Sequence, residues 1–295
     1  MRSFLFLFLV AFIFVTVPAQ KRLESARDSI VALINQSGAQ DVAVAVNRGL
    51  SGERLLINER VVFHAASTMK LPVMMKIFEL TTKGKLSLEG PIEIKNGFAS
   101  IVDGSPYSLR REEDGEQTLY ERAGATATII ELVEKMIVRS SNLATNLLIE
   151  KAGADSVTQL VRSIGGTDMT VRRGVEDGKA FRAGINNTAT AYDLMMLFDA
   201  IAETRFLDRR SCDHMIDILS RQEFNQGIPA GLPSGTRVAH KTGSITAIRH
   251  DAGIVFPTGK KPYVLVVLTR GIKDEKRADE LIANITRIIH SALGN

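Results

Sequence analysis

Apolar and polar positions change their spacing several times along the chain, and each change predicts an element. Apolar residues run almost unbroken from Phe4 to Val17 behind Arg2, and the run closes on Val17-Pro18-Ala19. A short charged start, an apolar stretch and small residues at its end predict a secretory signal peptide, residues 1–19, cut after Ala19. The run is short for a membrane span, which takes roughly 20 apolar residues. No cysteine follows it to carry a lipid. Over residues 21–36 the apolar positions recur at helical spacing. Residues 42–47 alternate as a strand does, and 54–58 can pair with them across Arg48-Gly49-Leu50-Ser51-Gly52. Residues 237–244, 252–256 and 263–269 read as three more strands, the last two joined by the turn Pro257-Thr258-Gly259-Lys260. Helical spacing returns over 274–293. Helical patterns fill the middle, from 68 to about 219.

Strands at both ends with helices between them predict an α/β (α+β) fold. One antiparallel sheet of about five strands draws on both chain ends, flanked by helices, with an all-α domain inserted. The division expected is 20–62 with 220–295 as the sheet part, and 63–219 as a mainly helical part. Residues 95–124 are the least regular stretch, and their Gly, Pro and charge content predicts a long loop. No internal repeat or low-complexity segment is present.

Composition narrows the function classes. Lys and Arg number 37 against 33 Asp and Glu. So small and scattered an excess gives no case for a nucleic-acid partner. Cys212 is the single cysteine, which excludes an internal disulfide and suits a small buried hydrophobe. The 5 histidines form no His-x-His or His-Glu-x-x-His pair, which argues against a zinc hydrolase. His64, three residues before Ser67, reads as a packing or capping residue rather than a base.

Three short motifs carry the chemistry: Ser67-Thr68-Met69-Lys70, then Ser140-Ser141-Asn142, then Lys241-Thr242-Gly243. Residues three apart on a helix share a face, so a helix over 68–80 carries Lys70 back beside the Ser67 hydroxyl. A serine is a weak nucleophile until a base takes its proton, and a lysine is such a base only when burial or a nearby cation lowers its pKa. Lys241 and Gly243 share one face of a strand, and a glycine there lets another backbone come close. Plain structural readings are open for each motif. Ser67 can be an N-cap and Lys70 a surface cation, and Ser140-Ser141-Asn142 can cap a helix starting near Leu143.

In this order and at this wide spacing the trio resembles the serine β-lactamase and penicillin-binding protein superfamily, and within it the class A β-lactamases. The likeness runs from about Val42 to the C-terminus and is strongest from Met136 to Leu148. The resemblance implies the serine β-lactamase/transpeptidase-like fold. It also implies Ser67 as nucleophile, Lys70 or Glu176 (through a water) as the base that activates it, and Ser140 as proton donor to the leaving nitrogen. Asn142 would hold the substrate amide and the lysine. Lys241, Thr242 and Ser244 would bind the substrate carboxylate, with Arg249 as a further contact, and the backbone of Gly243 would let the substrate approach. The Ser67 and Ser244 N–H groups would form the oxyanion hole. Glu176, on a loop after the second motif, would drive the water that clears the acyl-enzyme.

Three positions depart from that pattern. Ser141 stands where the family has Asp, Glu176 follows Arg173 with two residues between them rather than one, and Ala180 replaces an Asn that helps hold the water. Tyr107 and Tyr120 are candidates for an aromatic wall at the cleft mouth. The expectation is a secreted or periplasmic serine hydrolase acting on a small β-lactam or peptidoglycan-like substrate. It is monomeric by family default, with no membrane anchor after cleavage and no metal or organic cofactor implied. A β-lactamase is the first reading. A D-alanyl-D-alanine peptidase or esterase with slow deacylation, and a non-catalytic penicillin-sensing domain, are the alternatives.

Overall fold

The computed structural model describes residues 19–49 and 52–294. The signal-peptide reading, residues 1–19, lies outside this range except for Ala19. Helix α1 (Ala19–Gln36) leads into β1 (Asp41–Asn47), β2 (Arg54–Ile57) and the short β3 (Phe63–His64). A 3₁₀ turn, Ala66–Met69, then opens α2 (Lys70–Thr82). Residues 83–128 hold β4 (Pro91–Glu93), β5 (Phe98–Ala99), β6 (Pro106–Tyr107) and β7 (Thr126–Thr128). There follow α3 (Ile129–Val138), α4 (Asn142–Ala152), α5 (Ala154–Ser163), the short α6 (Gly178–Arg182), β8 (Thr188–Ala189), α7 (Ala191–Ala202) and α8 (Arg209–Ser220). Strands β9 (Arg237–Ile245), β10 (Ile248–Phe256) and β11 (Tyr263–Arg270) precede the closing helix α9 (Glu275–Gly294).

The main sheet has five strands in the order β2-β1-β11-β10-β9, all antiparallel. Strands from both chain ends meet where β1 pairs with β11, Val44 opposite Val267. Successive strand residues point to opposite faces, and both faces here are covered. On one face Ala43, Ala45, Ala252, Ile254, Val264 and Val266 pack under α7. On the other, Val42, Val44, Val46, Leu265 and Val267 pack against Leu23 and Ile30 of α1 and Ile282, Ile285 and Ile289 of α9. Each Val or Leu buried this way contributes about 1.5–3 kcal/mol. Two covered faces also explain why β1 and β11 are apolar nearly throughout.

Strand β10 begins four positions before the expected 252, because Ile248-Arg249-His250-Asp251 breaks the apolar pattern yet pairs in register with β9. Those polar residues belong to the cleft described below. Residues 95–124 also differ from a plain loop. They contain the β5–β6 ribbon, in which Phe98 pairs with Tyr107, and two 3₁₀ turns, Arg111–Glu113 and Tyr120–Arg122. Elements of two or three residues carry no periodicity to detect. They are held by bonds to distant segments.

Candidate active site

The turn bearing Ser67 is shaped by its neighbours. Ala66 sits in the left-handed region (φ 46) and its N–H donates to His64 Nδ1 at 3.0 Å, so His64 serves as a capping residue. Ser67 is not an N-cap: it lies inside the 3₁₀ turn, whose cap position is Ala65, and α2 starts three residues later at Lys70. Strand β9 presses against this turn. A Cβ on Gly243 would come within 3.1 Å of Thr68 Cγ2 and 3.3 Å of Ala65 O, so the glycine makes room for the Ser67 turn itself.

Lys70 is no surface cation: its side chain is 0% exposed. Its ammonium donates to Ser140 O at 2.6 Å, Asn142 Oδ1 at 2.9 Å and Ser140 Oγ at 3.2 Å. Burial pulls the Lys70 pKa down to about 7, against the opposing pull of the Asp114 and Glu176 carboxylates. Lys241, also 0% exposed, donates to Ser140 Oγ at 3.1 Å and Thr242 O at 3.0 Å. Burial first, and then the Lys70 charge, hold it well below the ordinary lysine range, with Asp251 opposing. Ser140 therefore sits between two buried lysines, in the left-handed region (φ 57). A hydroxyl oxygen has two acceptor sites. With both taken by lysine nitrogens, the Ser140 proton is left free to point elsewhere.

Glu176 joins this cluster through Asn142, whose Nδ2 donates to Glu176 Oε1 at 2.9 Å while its Oδ1 receives Lys70. The N–H of Arg110 donates to Glu176 Oε2 at 3.0 Å. Glu176 too has a positive φ, 60. Unusual backbone at three facing positions, Ala66, Ser140 and Glu176, is the kind of strain that clusters at functional sites.

The Glu176 loop is pinned by asparagine amides, one guanidinium and one carboxylate. Asn146 exchanges two bonds with Val175, and Asn187 Oδ1 accepts from the N–H groups of Arg172 at 2.8 Å and Arg173 at 3.1 Å. Arg173 reaches Ile185 O at 2.8 Å and Asn186 Oδ1 at 2.9 Å. Asp177 caps α6 through Ala180 N at 3.0 Å and ties it to Ser100 and Ile101. Ala180 itself is buried and offers no polar atom in the Asn position expected to hold a water.

The cleft has two lobes that share Ser67, Glu113, Asn142 and Ser244. Ser140, Thr242, Gly243 and Arg249 line the first lobe, and Glu176 the second. Arg249 lies on β10 and is heavily engaged. It donates to Ser244 Oγ at 2.7 Å, and to Glu275 at 2.9 Å and Asp279 at 3.2 Å on α9. Tyr107 and Tyr120 do not form an aromatic wall. Tyr107 OH meets Asn146, and Tyr120 OH donates to Asp114 Oδ2 at 2.9 Å. The aromatic residues that line the cleft are Phe224 (39% exposed) in one lobe and Phe181 (55%) in the other.

The sequence-level model of the Beta-lactamase enzyme family matches residues 25–293. This chain belongs to that family. It is similar to a β-lactamase of Bacteroides uniformis, 25% identical over 94% of each chain. Among solved structures it resembles a β-lactamase from Sphaerobacter thermophilus, with 26% identity, a TM-score of 0.78 and coverage of 92% of this chain and 97% of that one. It also resembles a mutant of PBP-A in an acyl-enzyme complex with penicillin G, with 27% identity, a TM-score of 0.79 and coverage of 94% and 99%. The fold is that of class A β-lactamases and penicillin-binding proteins.

The ten candidate site residues, drawn from the three motifs, the Glu176 loop, Ser244 and Arg249, converge. Lys70, Ser140, Asn142, Glu176 and Lys241 are linked by direct hydrogen bonds, and Ser67, Thr242, Gly243, Ser244 and Arg249 line the adjoining cleft. Sequence patterns missed several supports. Asp251 Oδ1 pairs with His240 Nδ1 at 2.8 Å behind Lys241. His250 is buried, its Nε2 sits 3.0 Å from His64 O, and burial lowers its pKa to about 4, so it stays neutral. Among the described residues no group of three or more His, Cys, Asp or Glu is placed to hold a metal, and no helix is long and apolar enough to cross a membrane.

Proposed function

We propose that this chain is a class A-like serine β-lactamase that opens the lactam amide through an ester on Ser67. The observation that carries this reading is the Asn142 bridge: one amide binds Lys70 with its oxygen and Glu176 with its nitrogen. The groups for making an acyl-enzyme and for clearing it thereby sit in one site.

In this mechanism Ser67 Oγ attacks the lactam carbonyl. Lys70, uncharged in part at neutral pH, takes the hydroxyl proton. The N–H groups of Ser67 and Ser244 hold the oxyanion, each donor contributing about 2.7–4 kcal/mol of transition-state stabilisation. The C–N bond breaks as the free Ser140 proton passes to the leaving nitrogen, and the Ser140 oxygen is reprotonated from the lysines on either side. Lys241, with Thr242 and Ser244, draws in the substrate carboxylate. Arg249 orients the Ser244 hydroxyl, its own charge being matched by Glu275 and Asp279. Glu176 then deprotonates a water that attacks the ester; the bond from Ser67 Oγ to the carbonyl carbon breaks and the proton held by Glu176 returns to Ser67 Oγ, so the net change is one water added to the lactam. The leader pattern of residues 1–19 supports action outside the cytoplasm.

A second reading is favoured by two observations. Arg110 N already occupies one Glu176 oxygen, and Ala180 supplies no side chain for a water. A peptidase-like enzyme would acylate as well but clear slowly. Each tenfold change in clearance corresponds to about 1.36 kcal/mol, so modest displacement of Glu176 separates the two. An intact-mass time course of the mature protein with excess penicillin decides. Drug that gains one water beside protein only briefly acylated supports the β-lactamase. Protein that keeps the drug's mass for an hour replaces it with the peptidase-like reading.

A further inference from the structure

Ser140-Ser141-Asn142 contains no acidic residue, yet a carboxylate lies beneath it. Asp114 is only 5% exposed and sits in the stretch between the two 3₁₀ turns of residues 95–124. Its Oδ2 accepts from Leu143 N at 2.8 Å, Tyr120 OH at 2.9 Å, Asn142 N at 3.0 Å and Ser141 Oγ at 3.3 Å. Its Oδ1 accepts from Glu116 N at 2.9 Å. Among the described residues no Lys or Arg forms an ion pair with it. The charge is held instead by the free N–H groups at the start of α4, where a helix favours an anion. Ser141 completes the arrangement by capping α4 through Ala144 N at 3.1 Å.

These bonds act on the reacting groups through one turn. The α4 start carries Asn142, and two residues before it is Ser140, the acceptor for both lysines. Gly115, next to Asp114, fits so closely against Arg139 O that a Cβ would come within 2.2 Å of it. The segment of residues 95–124 also supplies Arg110 N to Glu176, so it touches both halves of the site.

We infer that Asp114 is a positioning residue for acyl transfer, holding the Ser140–Asn142 turn beneath Lys70 and Lys241 and supplying the negative charge that the turn itself lacks. The inference rests on the acyl-transfer reading of this site. The charged groups that bear on Lys70 are Asp114, Glu176 and Lys241. Removing the Asp114 charge leaves Lys70 with one attraction fewer for its proton, and its pKa falls.

The test compares wild type, D114N and the exchange variant D114S/S141D. Penicillin acylation is followed by rapid-quench mass spectrometry across pH, and Lys70 is titrated by NMR with labelled lysine. Asn in place of Asp keeps an acceptor for the α4 N–H groups but loses the charge. The expected result for D114N is acylation slowed roughly ten- to a hundred-fold at its plateau. Its acid limb moves to lower pH and Lys70 titrates lower, with melting temperature little changed. The exchange variant regains most of the rate, since Asp is also a good N-cap. Wild-type plateau rate, acid limb and Lys70 titration in D114N would overturn the proposal. A wild-type protein that penicillin never acylates overturns the acyl-transfer reading instead. The Lys70 titration still decides whether Asp114 acts on that lysine.

Discussion

The two halves of the cleft are built in different ways. Ser67, Lys70 and Lys241 stand within or at the start of regular elements, Ser140 lies in the short turn between α3 and α4, and two of the four are lysines with no exposed surface. Glu176 stands on a loop held by side-chain hydrogen bonds from Asn146, Asn187, Arg173 and Asp177. A group on a packed helix start or a central strand moves only if the core moves. A group on a loop pinned this way shifts when one hydrogen bond is lost. The half proposed to form the acyl-enzyme is therefore stiff, and the half proposed to clear it is adjustable.

The largest effect should come from the stiff half. Ser67→Ala should abolish covalent attachment of penicillin altogether, read as no mass gain on the intact protein; any residual adduct would place the nucleophile elsewhere. Glu176→Gln should leave acylation within a few-fold and slow deacylation by about 10²–10⁴, the usual worth of a positioned base, so that acyl-enzyme accumulates. A comparable loss in acylation would mean that Glu176, not Lys70, activates Ser67.

Asn187→Ala sharpens the comparison further, because Asn187 touches no reacting group. It is buried, and its loss leaves the N–H groups of Arg172 and Arg173 without an acceptor. An unsatisfied buried donor costs about 1–3 kcal/mol. Deacylation should fall roughly tenfold, with acylation nearly unchanged, in single-turnover measurements of both steps. Equal losses in the two steps would show that the halves are not separable.

The smallest effect is in pH. Lys70 titrates near about 7 because burial disfavours its charge, and only the neutral amine accepts a proton. The acylation rate should therefore decline as pH falls below about 7, by about tenfold per unit, with a flat region above. Stopped-flow acylation across that range checks it, and a limb that follows a carboxylate value instead would remove Lys70 from the role of base.

The same contrast governs what could be read from residue order. The helices and sheet strands announce themselves through spacing, since each must bury a stripe or a face. Strand β10 shows the limit: its apolar half was visible, while Ile248-Arg249-His250-Asp251 was not, because those positions serve the cleft and α9 rather than the core. Ser67, Lys70, Ser140 and Lys241 stood out as motif residues because nearby positions must share a helix face or a strand face. Asp114, Asn146, Asn187 and the His240–Asp251 pair left no such trace, each meeting its partner on another segment, beyond the three- or four-residue spacing of a helix face or the alternation of a strand. Tyr107 and Tyr120 looked available for the cleft mouth and turned inward to satisfy buried polar groups instead.

Residue order by itself determined the sheet drawn from both chain ends, the helical insertion and the three motifs, because burial periodicity and local helix or strand geometry are written in neighbouring residues. Only the tertiary structure decided that Lys70 is buried enough to lose its proton near neutral pH, that Asn142 joins it to Glu176, and that a carboxylate from residues 95–124 lies under the Ser140–Asn142 turn. Desolvation and long-range hydrogen bonds depend on what the rest of the chain brings alongside, and no local pattern records that.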